Sequence, residues 1–304
     1  MSNYKRKILL AVDGSDQSLD AVRYVSQLFP PNRVEVVLFH VMSEIPDSYW
    51  DIKNNPAFRH KLAHVTAWAT NQKTQIQEFM ERSRQLFVDR GIPEKAVTVK
   101  IQDRQVGIAR DIAREAQGDY DALVVGRWGV SKVKDLVWGS VANKLVGHLT
   151  NSPIWVVGGT PYTESMLVAL DASEEAVRVV DYLGSMVEGS NWKVTLFHVI
   201  RGFEDLKTEA QEELPQAEQA IADVFAQSIA RLEKAGLKND LITTQIVTRV
   251  PSRAKAIVEE AKKGGYGTIV VGRRGLSRVE EFFMGRVGNK VMQMAKEMAV
   301  WVVI

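Results

Sequence analysis

The stretch Gly126–Val141, GRWGVSKVKDLVWGSV, decides how the chain is read. It follows Ala122–Val125, an apolar run with the length and composition of a buried strand. It leads into VANKLVGHL, whose apolar residues recur at helical spacing. Gly126, Gly129 and, after nine further residues, Gly139 punctuate the segment. A strand, a glycine loop and a helix start make a cradle for an anion. Glycine lets the backbone approach closely, and the first N–H groups of a helix lack partners within it. Ser140 is placed either to cap that helix or to give its hydroxyl to a bound oxygen.

The residues before this loop alternate strand and helix. Lys7–Val12 reads as a strand closed by the turn Asp13-Gly14-Ser15, and Ser15 or Asp16 caps a helix that Pro30-Pro31 stops. Val34–Val41 is an almost wholly apolar second strand, as expected of one covered on both faces. A helical pattern from Leu62 to Asp89, a strand at Val97–Ile101, a helix at Ile108–Ala116 and a last strand at Ile154–Val157 complete the unit.

The unit then repeats. Asp171 follows a strand as Asp13 does, and Leu196-Phe197-His198-Val199 copies Leu38-Phe39-His40-Val41 at the same spacing of 158 positions. Gly272, Gly275 and Gly285 copy Gly126, Gly129 and Gly139 at a spacing of 146, as Trp301 copies Trp155. The lost residues fall between Val41 and Gly126, which points to a longer loop after the second strand of the first half. Repetition in one order predicts an internal duplication, residues 1–160 and 161–304, joined at Gly158–Glu164. Each half is predicted to be an α/β unit around an open five-stranded parallel sheet. In such sheets a ligand binds beyond the carboxyl ends of the strands, where the winding reverses.

Bulk composition sets limits on function. The 304 residues suit two domains of about 150 each. Thirty-nine basic residues against 37 acidic give a net charge of +2, too small to suggest a nucleic-acid or membrane-surface protein. Without cysteine there is neither disulfide nor thiolate chemistry. The N-terminal apolar run Ile8–Val12 is too short for a signal peptide, and no stretch approaches the roughly 18 apolar residues of a membrane helix. A cytoplasmic protein is expected.

The strand-end Asp13, Val41 at the end of strand two, and the spacing G-x2-G-x9-G-S resemble the universal stress protein family, twice over and across the chain. The resemblance implies a strand order of 3-2-1-4-5 and ATP, with or without Mg2+, at the glycine loop. It places Asp13 at the ribose and the backbone of Val12 and Val41 at adenine. Gly126, Arg127, Gly129, Gly139, Ser140 and Val141 would surround the phosphates. It further implies that Ile154–Val157 and Val300–Val303 pair the halves as an intramolecular pseudo-dimer, with further homodimerisation open.

The second half departs from the pattern at Arg286, which replaces Ser140. A guanidinium could reach a phosphate from the side or occupy the pocket itself, so an altered or empty second site is expected. Neither a GxxxxGK[ST] loop nor a catalytic triad or carboxylate pair is present. The reading is a stress-responsive nucleotide binder with unknown protein partners. Its rivals are a slow ATPase or phosphotransferase, and a scaffold with another ligand in the second half.

Overall fold

A computed structural model of the protein describes residues 5–42, 59–128, 139–159, 163–202, 209–273 and 284–304. Gly129 and Gly275 lie outside the described residues. The first half runs β1 (Arg6–Ala11), α1 (Asp16–Leu28), β2 (Val34–Met42), α2 (Arg59–Asp89), β3 (Val97–Asp103), α3 (Ile108–Glu115), β4 (Ala122–Gly126), α4 (Ser140–His148) and β5 (Ile154–Val157). The second repeats it as β6 (Ser165–Ala169), α5 (Glu174–Val187), β7 (Lys193–Arg201), α6 (Glu209–Lys234), β8 (Ile242–Val250), α7 (Arg253–Lys263), β9 (Thr268–Gly272), α8 (Arg286–Met294) and β10 (Ala299–Val303).

Each half has the expected order 3-2-1-4-5 with parallel neighbours. The two sheets are not separate. β5 and β10 pair antiparallel, Trp155 opposite Trp301, and merge them into one ten-stranded sheet of order β3-β2-β1-β4-β5-β10-β9-β6-β7-β8. An edge strand exposes unpaired N–H and C=O groups, and pairing with its own copy removes that exposure. β1 shows why the chain folds this way locally. Ile8 and Leu10 point to one face and Leu9 and Ala11 to the other, all buried, as the period-2 geometry of a doubly covered strand requires.

Two cores result. One lies between the sheet and α1, α2, α5 and α6, the other beneath α3, α4, α7 and α8, and both continue across the seam. At the seam the indoles of Trp155 and Trp301 stack with centroids 3.9 Å apart and planes within 2°. Each indole N–H donates to a tyrosine of the opposite half: Trp155 to Tyr182 Oη at 3.0 Å, Trp301 to Tyr24 Oη at 2.9 Å. Tyr24 and Tyr182 are themselves equivalent positions of the duplication, so the pseudo-twofold holds at the level of single atoms. Buried polar tips need such partners, and here they come from the other copy. The loop after β2, where the sequence places the extra length of the first half, lies outside the described residues; among those described, α2 has 31 residues against 26 in α6.

Candidate functional site

The carboxyl ends of β1 and β4 are neighbours, with Ala11 in register with Val125. The Asp13 turn and Gly126 therefore emerge side by side at the point where the winding reverses. Asp13 Oδ1 accepts from Ser15 N at 3.1 Å and from Ser15 Oγ at 2.6 Å, while Ser15 caps α1 through Ser18 N. Gly126 has a packing reason to be glycine: a Cβ there would stand 3.0 Å from Gln17 O in the first turn of α1. On the far side of the loop Gly139 N donates to Arg127 O at 2.8 Å, closing the loop on itself.

Gly139, rather than Ser140, is the N-cap of α4, and it offers no side-chain bond. The first intrahelical donor is Asn143, to Gly139 O at 3.0 Å. The N–H groups of Ser140, Val141 and Ala142 are thus left for a ligand or water, at the positive pole of the helix. Ser140 is exposed and its hydroxyl bonds no described residue, whereas the Val141 side chain packs against the core beneath the helix. Val41 is buried near the end of β2, in register with Gln102. Val12 has its main chain occupied: its N–H donates to Phe39 O at 2.9 Å and its carbonyl faces His40 Nδ1 at 2.7 Å. A carbonyl only accepts, so Nδ1 carries the proton. Burial holds His40 below the ordinary histidine value against that bond, and His198 stands in the same relation to Leu170 O at 2.7 Å.

Arg127 is elsewhere. Its side chain is fully buried, and it donates to Met292 O at 2.5 Å and Ala295 O at 2.8 Å, main-chain carbonyls at the C-terminal end of α8 in the other half. Burial pushes its pKa down to about 10, with Glu297 opposing, so it stays charged at neutral pH. Arg273 reciprocates, donating to Leu149 O and, at 2.9 Å, to Val146 O at the end of α4. Each guanidinium satisfies orphan carbonyls and sets a cation at the negative pole of the helix whose opposite end faces a crevice.

In the second half the corresponding crevice is open. A cavity of about 840 Å3 lies over the ends of β6, β7 and β9, between Asp171 and the start of α8. Arg286 lines it and is exposed, so it does not close the pocket.

The model of the family described as the universal stress protein family matches residues 5–158 and again 163–303. The chain belongs to the universal stress protein family. Among solved structures, a universal stress protein from Archaeoglobus fulgidus DSM 4304 is 17% identical over 98% of this chain and 97% of that chain, with a TM-score of 0.60. A Pseudomonas aeruginosa UCBPP-PA14 protein described as a universal stress protein is 12% identical over 98% of this chain and 93% of that one, with a TM-score of 0.61. Both likenesses speak to the fold.

In this universal stress protein the residues singled out from sequence divide three ways. Asp13, Gly126, Gly139, Ser140 and the Val141 N–H lie together at the carboxyl ends of β1 and β4, with Val12 and Val41 at the neighbouring strand ends. Gly129 lies outside the described residues. Arg127 does not belong with them: its position after Gly126 suggested phosphate, but its side chain turns beneath the sheet's end into the opposite half. Sequence reasoning missed Arg273 and also Arg253, which lines the second crevice and donates from Nε to Val199 O at 3.2 Å. Arg273 had a signal, since it repeats Arg127 at the spacing of the duplication. Arg253 had none, because the first half carries Ile108 in its place. Among the described residues no group of three His, Cys, Asp or Glu could hold a metal, and no helix is long and apolar enough to cross a membrane.

Proposed function

We propose that the protein is a cytoplasmic stress-response regulator that binds ATP or a related nucleotide in the crevice of its first half. The observation that carries this reading is the uncapped start of α4 at the winding reversal, with three N–H groups unpartnered among the described residues and an exposed hydroxyl beside the Asp13 turn. The residues present fit a phosphate chain: Ser140, Val141 and Ala142 offer main-chain donors, Ser140 adds its hydroxyl, and Arg273 strengthens the dipole of α4 from behind. Asp13 is placed for a ribose hydroxyl, and the second lone pair of the Val12 carbonyl and the end of β2 at Val41 for the base. Binding, rather than turnover, is the proposed role, because the carboxylate among these described groups, Asp13, is engaged by Ser15 N and Ser15 Oγ.

Titration calorimetry with ATP, with and without Mg2+, tests the reading. Wild type is expected to bind one equivalent in the first half, and Ser140→Arg, which imports the second half's own residue at an exposed position, to abolish that binding. Undiminished affinity in Ser140→Arg overturns the site, and absence of heat with wild type overturns the function. Steady turnover of Mg2+-ATP would move the protein to the enzyme reading.

A further inference from the structure

Arg127 and Arg273 join α4 and α8 across the seam, each holding the start of one helix and the end of the other. The Arg127 main chain belongs to the start of α4: its N–H donates to Val157 O at 2.8 Å, and its carbonyl accepts from Gly139, the N-cap residue, at 2.8 Å. Its guanidinium holds the end of α8, donating to Met292 O at 2.5 Å and Ala295 O at 2.8 Å. Arg273 repeats this from the other side. Its N–H donates to Val303 O at 2.6 Å, its carbonyl accepts from Gly285, the N-cap of α8, at 2.8 Å, and its guanidinium reaches Val146 O and Leu149 O at the end of α4. The contacts close a ring from the start of α4 through Arg127 and α8 to Arg273, and back to the end of α4.

Arg127 has little slack in which to absorb a shift. It directly follows Gly126, which fits so tightly on α1 that a Cβ would stand 3.0 Å from Gln17 O. On its other side a Cβ at Gly158 would stand 2.8 Å from Arg127 Nε. Packing this close transmits displacement rather than damping it. Nε is buried without a partner, so the grip on α8 depends on the two carbonyl bonds alone. The end of α8 depends on the same bonds. The last carbonyls of a helix have no partners within it, Ala295 leaves the helix with a ψ of 62°, and Lys296 N turns back to Met294 O at 3.0 Å. Between the two gripped carbonyls Met294 is exposed, so the state of this turn is presented at the surface.

We infer that Arg127 transmits the state of the start of α4 to the end of α8, in the other half of the chain. A ligand that orders the start of α4 fixes the Arg127 main chain through Gly139, tightens the guanidinium on Met292 O and Ala295 O, and stiffens the last turn of α8. The identity of that ligand rests on the nucleotide reading given above; the link itself rests on the contacts of Arg127. Ordering one helix lowers the entropic cost of ordering the other, so the coupling is positive, and it runs through contiguous bonds. Occupancy of one half thereby becomes a changed surface on the other, around Met294.

Amide hydrogen exchange on the full chain, with and without saturating ATP, tests the link in wild type, Arg127→Lys, Arg273→Lys and Ser140→Arg. In wild type ATP is expected to slow exchange at the end of α8 about fivefold or more. Arg127→Lys, which keeps the charge but lacks the fork that spans two carbonyls, should lose that slowing, and Arg273→Lys should keep it. Loss in both arginine variants alike would assign the effect to seam stability and overturn the link. Slowing that persists in Ser140→Arg would place the nucleotide in the second half and overturn it too. ATP binding with α8 exchange unchanged overturns the link while sparing the proposed function. Absence of ATP binding instead overturns that function, and the link is then judged in the unliganded chain. There Arg127→Lys should speed exchange at the Gly139 N–H together with the end of α8, and a change confined to α8 overturns the link.

Discussion

Replacing Arg127 with methionine separates the role its sequence position suggests from the role its contacts define. The side chain makes two charge-assisted bonds to main-chain carbonyls, Met292 O at 2.5 Å and Ala295 O at 2.8 Å, in a fully buried site between the halves. Each such bond contributes about 1.5–3 kcal/mol, so their joint loss would cost about 3–6 kcal/mol. Part of that is returned, because a guanidinium whose Nε has no partner no longer has to be buried. Methionine keeps most of the volume and limits the cavity term. The net expectation for Arg127→Met is a loss of about 2–4 kcal/mol. Arg127→Lys, which keeps the charge but lacks the fork that reaches two carbonyls, should fall between. Urea unfolding followed by circular dichroism measures both, with ATP affinity measured in parallel on the folded variants. A loss below about 0.5 kcal/mol together with abolished nucleotide binding would refute the reasoning and return Arg127 to the phosphates.

Two further outcomes follow from the geometry. A Cβ at Gly158 would overlap the main-chain carbonyl of Lys296 and approach Arg127 Nε to 2.8 Å. Gly158→Ala should therefore force the seam apart and cost about 2–3 kcal/mol; a melting temperature equal to wild type would show that the seam tolerates a shift there. Because burial holds His40 and His198 below the unfolded histidine value of about 6.5, the unfolded chain binds more protons between that value and the folded pKa. Stability should fall as pH drops through about 6.5 and level off below the folded pKa, and His40→Asn/His198→Asn should flatten that limb in urea midpoints taken from pH 7.5 to 5. An unchanged slope in the double variant would assign the acid sensitivity to other groups.

The sequence alone determined what is local or repeated. The strand at Ala122–Gly126, the glycine that opens α4 and the turn after β1 are written in short-range spacing, and the duplication is written in the return of Leu-Phe-His-Val and of the glycine loop. Even the length difference between the halves was legible, because an insertion only shifts a register. Tertiary structure decided everything carried by groups far apart in the chain. Arg127 meets its carbonyl partners 165 and 168 positions away, so its neighbours in sequence say nothing of where its guanidinium goes. Arg286 read as an obstruction because a lone cation at a glycine loop suggests a filled pocket. Only the folded cavity shows Arg286 exposed along its lining and leaving the crevice open. Spacing along the chain records which element a residue belongs to; what that residue touches is settled by how the two copies pack across their shared seam.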